Sequence, residues 1–147
     1  MRVSMSEQKK TIYLTQAETK RLAILEKRYK NAARARFEVR TAYYHAITGG
    51  HYTSITIRDQ KTRWGSCSSR GTLSFNYRLI FAPPRILDYV VVHELCHLTH
   101  MNHSKEFWNM VSSVMPDYKE CKAWLKEHGH ELRLETHLQK HGIPVTL

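Results

Sequence analysis

Val90-Val91-Val92-His93-Glu94-Leu95-Cys96-His97 is the stretch on which the architecture turns. Read as an α-helix, with 3.6 residues per turn, it sets His93 and His97 on one face and Glu94 beside them. Three consecutive valines favour a strand by intrinsic propensity. Against that, Leu87, Val91, Leu95 and Leu98 share one face at helical spacing, Ile86 and Val90 widen it, and Pro84 after Pro83 suits a first helical turn. An element this apolar is buried. Its imidazoles and carboxylate therefore need partners, and a metal ion supplies one for the imidazoles.

His103 extends the pattern to H-E-x-x-H-x-x-x-x-x-H, and three protein nitrogens leave a fourth position on a zinc ion (Zn2+) for water. His100 is the weaker ligand candidate. In a continued helix, rising about 1.5 Å per residue, it would lie roughly 10 Å along the axis from His93, beyond reach of one shared ion. Asn102 tolerates a left-handed conformation and is expected to end the helix and swing His103 back. Ser104 then reads as an N-cap, with Glu106 in the first turn of a new helix carrying Phe107, Val111 and Val114. Glu106 is an alternative ligand, but its place at a helix start already accounts for it.

The segment from Val90 to Trp108 resembles the active-site segment of the YgjP-like metallopeptidases, relatives of the SprT-like and WLM zinc peptidases. A second block, Lys61-Thr62-Arg63-Trp64-Gly65-Ser66-Cys67-Ser68 followed by Leu73 to Pro84, resembles that family's other signature. The likeness spans roughly residues 15 to 130. It implies a zincin-like fold, with His93, His97 and His103 as zinc ligands and Glu94 as catalytic acid and base. The spacing to His103 also matches metzincins, but His100 stands where those enzymes turn the chain with glycine.

The 147 residues suit one domain, read as a flexible segment 1–14 and a zincin-like domain 15–147. Three cysteines without paired spacing, and no signal-peptide pattern, point to a reducing cytoplasm; no apolar run is long enough to span a bilayer. Cys67 reads as a small apolar filler rather than a ligand. Charge is uneven. Residues 1–50 hold eleven Lys/Arg against four Asp/Glu, whereas residues 84–147 hold seven against eight. Arg21, Lys27, Arg28, Lys30, Arg34, Arg36 and Arg40 could follow RNA, DNA or an acidic protein surface, or be the solvated side of a helix.

The expected class is α+β. Thr15-Gln16-Ala17-Glu18 is a capping-box pattern that opens a long N-terminal helical region, one bent helix or two, ended by Gly49-Gly50. Its apolar stripe is Leu22, Leu25, Tyr29, Ala32, Ala33, Phe37, Tyr44 and Ile47. Period-two alternation in Ser54–Arg58 and Leu73–Leu79, with Arg63–Cys67 between them, predicts a small three-stranded antiparallel sheet before the metal helix. Pro116 separates two later helices, and residues 131–138 suit a last short one. His128, His130, His137 and His141 are candidates for a second metal site, although such histidines are more often surface residues.

Hydrolysis of a peptide bond by metal-activated water is the expected chemistry, with Glu94 as general base and a peptide or protein as substrate. Candidates for substrate or transition-state contacts are Arg63, Asn76, Tyr77 and His100. Trp64 reads as a core anchor beside the site. Two rival functions use the same residues. One is a metal-dependent nucleotide phosphohydrolase, which lacks a phosphate-binding glycine loop here; the other is a basic nucleic-acid-binding module with a structural zinc, which would have no use for Glu94.

Overall fold

The computed structural model describes residues 15–143, so the expectation for residues 1–14 lies outside the described residues. One continuous helix, α1 (Gln16–Thr48), settles the choice between one helix and two. Its start is the predicted capping box. Thr15 Oγ1 accepts from the Glu18 amide at 3.0 Å, and Glu18 Oε1 accepts from the Thr15 amide at 3.4 Å. Gly49, at φ 70°, ends it. The buried stripe is Leu25, Ala33, Phe37, Thr41 and Tyr44, whereas Ala32 and Ile47 are exposed. The i, i+4 repeat thus continues through Thr41 along a narrower face than the apolar residues alone suggest.

The sheet is mixed, not antiparallel as expected. Its order is β1 (Ser54–Arg58), β3 (Thr72–Asn76), β2 (Gly65–Cys67), with β3 parallel to β1 and antiparallel to β2. The cause lies in the crossover 59–64 and in Asn76. Nδ2 of Asn76 donates to the carbonyls of Gln60 at 2.6 Å and Arg63 at 3.0 Å, and its amide donates to Trp64 O at 2.9 Å. The crossover is therefore tied to the end of β3, and β2 enters on the side away from β1. β3, nearly all buried, takes the centre, where both of its backbone edges are paired. Phe75 of β3 lies flat against Phe37 of α1, with ring centroids 4.5 Å apart. The alternation predicted to Leu79 stops at Asn76. Asn76 Oδ1 accepts from the Arg78 amide, starting a 3-10 helix, Tyr77–Phe81, that turns Leu79 into the core.

Helix α2 (Pro84–Cys96) runs through the centre, with Pro84 in its first turn. Ten of its residues are buried, including Val90, Val91 and Val92, so tertiary burial outweighs their strand preference. On one side it packs on α1. There the Asp88 carboxylate accepts two bonds from Arg40 at 2.8 and 2.9 Å and a third from the Tyr44 hydroxyl at 3.1 Å. On the other side lie α3 (Lys105–Val114), started by Ser104 as predicted, and α4 (Tyr118–His128). Helix α5 (Leu134–Lys140) begins later than the sequence pattern indicated and closes a small second cluster with Leu25 of α1. Among the described residues no helix is long and apolar enough to cross a membrane.

Candidate metal centre

His93 and His97 lie on and just beyond the last turn of α2, and the chain then reverses to present His103 ahead of α3. The reversal differs from the expected one. Among the described residues no non-glycine residue has positive φ, so Asn102 does not make a left-handed turn. The helix instead tightens in right-handed steps: Leu98 N bonds to Leu95 O, Thr99 N to Cys96 O and His100 N to Cys96 O. Half-buried Leu98 sits so close to Gly50 that a Cβ there would lie 2.9 Å from Leu98 Cβ, which anchors this reversal against the end of α1.

The three imidazoles converge. One ring nitrogen from each of His93, His97 and His103 falls within a group whose members are at most 4.8 Å apart, the only such group of three or more His, Cys, Asp or Glu among the described residues. His97 Nε2 faces His103 Nε2 at 3.0 Å. His97 Nδ1 lies 3.0 Å from the His100 carbonyl oxygen. A carbonyl only accepts, so Nδ1 carries the proton and Nε2 presents its lone pair to the cluster. His93 Nδ1 lies 3.1 Å from Glu94 Oε2, which orients that ring in the same way. Burial, followed by the neighbouring His93 and His97, pushes the His103 pKa down and favours the neutral form a metal ligand needs. Phe107 of α3 is fully buried beneath the group and stacks on His97, with centroids 4.4 Å apart; Trp108 stacks on His103 at 5.7 Å.

The imidazole group lies in a cleft open on one side and could hold a metal ion; the cleft is lined also by Arg63, Gly65, Ser66, Cys67, Glu94 and Met101. Glu94 is buried, only 5 % exposed. A Cβ on Gly65 would lie 3.0 Å from Glu94 Cγ and Oε2, so the bare backbone of β2 is what lets the strand pass this carboxylate. Burial, reinforced by Glu94, raises the Cys67 thiol to about 11, and it stays protonated near neutrality.

Of the four candidate substrate contacts, Arg63 lines this cleft. His100 contributes its carbonyl to orienting His97. Asn76 spends its side-chain amide on the crossover and Tyr77 is buried against Phe81; neither lines this cleft. Glu106 is exposed in the first turn of α3 and is not in the imidazole group. Nor do His128, His130, His137 and His141 form a second cluster: His137 and His141 adjoin each other, while His128 turns to Glu131.

The sequence reading missed a cavity of about 320 Å3 on the α4 side, bounded by Trp64, Tyr89, Val90 and Leu125 and sharing Gly65, His93 and Glu94 with the metal cleft. Trp64 is the anchor expected of it, but it also walls this cavity. It rests on Gly129, where a Cβ would meet its ring at 2.7 Å. Close backbone approach at Gly65 and Gly129 was the available signal, but its meaning depends on partners distant in the chain.

Comparison with known proteins agrees with this geometry. No curated protein matches the chain. Among solved structures, the metallopeptidase zymogen abylysin of Pyrococcus abyssi is similar, at 24% sequence identity and a TM-score of 0.55, over 62% of this chain and 93% of that one. That likeness shows a shared fold. A family model described as YgjP-like, metallopeptidase domain, matches residues 2–128, and the chain belongs to that family.

Proposed function

We propose that the protein is a zinc-dependent peptidase in which His93, His97 and His103 hold the ion and Glu94 is the general base. The convergence of three imidazole nitrogens beside a buried glutamate carries this reading. Imidazole suits zinc, and the 3.0 Å between His97 Nε2 and His103 Nε2 is close to the roughly 3.3 Å between two nitrogens on one tetrahedral zinc. Bound there, zinc would acidify a water molecule and polarise the carbonyl to be attacked. Glu94 takes the proton from that water through the carboxylate oxygen not engaged with His93. It then delivers the proton to the leaving amine nitrogen, so water and peptide become a carboxylate and a free amine. Arg63, which lines the cleft, is the candidate to steady the developing oxyanion.

Family membership favours peptide over nucleotide as substrate. The basic face of α1 is a separate matter. Arg40 is committed to Asp88, Lys30 pairs with Glu26 at 2.8 Å and Arg34 lies 3.9 Å from Glu38. Association with RNA, DNA or an acidic protein would therefore fall to exposed residues such as Lys27, Arg28 and Arg36. The test of the enzymatic reading is hydrolysis of a diverse peptide library by zinc-loaded protein. Chelation should abolish cleavage and zinc should restore it. Glu94→Gln should keep the metal and lose roughly 100- to 10,000-fold in rate. Phosphate release from nucleoside triphosphates, dependent on Glu94 and without peptide cleavage, would overturn it.

A further inference from the structure

The cavity beside the metal cleft has two chemically different ends. Its inner end is the shared wall of Gly65, His93 and Glu94, and its sides are Trp64, Tyr89, Val90 and Leu125. These sides are largely apolar. Tyr89 is buried, with its ring edge-on to His93 at 5.9 Å between centroids. The outer end carries Lys122 and Lys126, both exposed and four residues apart on α4. Lys122 Nζ lies 4.8 Å from the centre of the Trp108 ring, and neither lysine has an acidic partner among the described residues. At about 320 Å3 the cavity is at the small end of ligand sites, sized for a side chain.

Resting on the peptidase reading, we infer that this cavity selects the substrate: it takes an apolar side chain flanking the scissile bond, and Lys122 and Lys126 bind an Asp or Glu carboxylate next to it. A peptide bond placed at the imidazole group and Glu94 has a neighbouring residue beside the shared wall, and that residue's side chain has this cavity to enter. Glu94 forbids an anion at the inner end by like-charge repulsion, and the lysines favour one at the outer end. An apolar residue followed by an acidic one matches both ends at once.

The test uses full-length, zinc-loaded protein and quenched fluorescent peptides with amidated C-termini. These peptides carry Leu-Glu, Leu-Gln, Leu-Lys or Gly-Glu at otherwise constant positions, in both orders. Leu-Glu should exceed Leu-Gln in kcat/KM by roughly fivefold, since exposed ion pairs are individually weak, and the margin should shrink at high salt. Gly-Glu should lose about tenfold or more through the emptied cavity. The double variant K122E/K126E should reverse the order, preferring Leu-Lys. Binding of labelled Leu-Glu and Leu-Gln peptides to E94Q, followed by anisotropy, separates this inference from the chemistry. Preferential binding of Leu-Glu that K122E/K126E abolishes in the E94Q background supports the cavity even where no peptide is cleaved. Equal cleavage and binding of Leu-Glu and Leu-Gln, a preference that survives K122E/K126E, or a preference only for peptides with a free C-terminal carboxylate would overturn it.

Discussion

Helix α2 has a polar constellation at each end, and the two are finished in opposite ways. Near its start, Asp88 is saturated: Arg40 grips both oxygens and Tyr44 adds a third bond. Near its end, the polar atoms are only half satisfied. The Nδ1 atoms of His93 and His97 have acceptors, yet the nitrogens of His97 and His103 that meet at 3.0 Å have only each other. The first cluster is thus complete within the protein, whereas the second gathers three imidazoles at a partly exposed cleft, the arrangement on which the proposed metal site rests. The contrast separates a contact that holds helices together from the imidazole group proposed to bind metal.

That contrast can be broken most directly at its functional end. His97→Ala should lower bound metal from about one ion per chain towards none and take peptidase activity to background, read by metal analysis and by cleavage of a responsive peptide. Full metal occupancy in this variant would move the centre elsewhere. At the structural end, Asp88→Ala leaves Arg40 without its carboxylate. Because Arg40 is partly exposed, a loss of about 3 kcal/mol, the low end for a broken buried pair, is expected in denaturant unfolding, with metal stoichiometry unchanged. Loss of metal from the folded Asp88→Ala variant would show that the two clusters are not independent.

Gly65→Ala sharpens the comparison from the neighbouring strand. The added methyl must displace Glu94 or Val90, so kcat should fall about tenfold with metal retained; a wild-type rate would show that the carboxylate tolerates the shift. The smallest effect belongs to the surface pair Arg85 and Asp117, which links α2 to the residue before α4. Hydrogen bonding from Arg85 holds the Asp117 carboxyl below its ordinary range. The sign follows from linkage. The pair's stabilisation is complete above the unfolded aspartate value of about 3.9 and is lost as pH falls through the lower folded value. Asp117→Asn should therefore cost at most about 1 kcal/mol at neutral pH and nothing in strong acid, measured by thermal unfolding across pH.

Local signals suffice where one element contains the whole pattern. Thr15 with Glu18, Pro84 in a first turn, Ser104 before α3 and the four-residue step from His93 to His97 each depend on neighbours within one turn. Patterns whose outcome depends on distant partners are not legible in this way. Asn102 has the right chemistry for a left-handed turn, but the chain bends there without positive φ, after a right-handed turn at 97–99 where Leu98 packs on Gly50. Alternation through Leu79 looked like a strand because period two does not record that Asn76 would cap a 3-10 turn.

By itself, the sequence determined an α+β chain with a buried central helix that presents two imidazoles and a carboxylate, since helical period and capping are properties of adjacent residues. The tertiary structure decided the rest. It placed β3 between β1 and β2, committed Arg40 to Asp88 across 48 residues of chain, and brought Trp64 and α4 together around a cavity next to Glu94. Each of these depends on which distant surfaces become neighbours once the core is packed. Spacing along a chain does not encode that separation in space, because the entropy of closing a long loop varies only slowly with its length and leaves many pairings open until side chains fit.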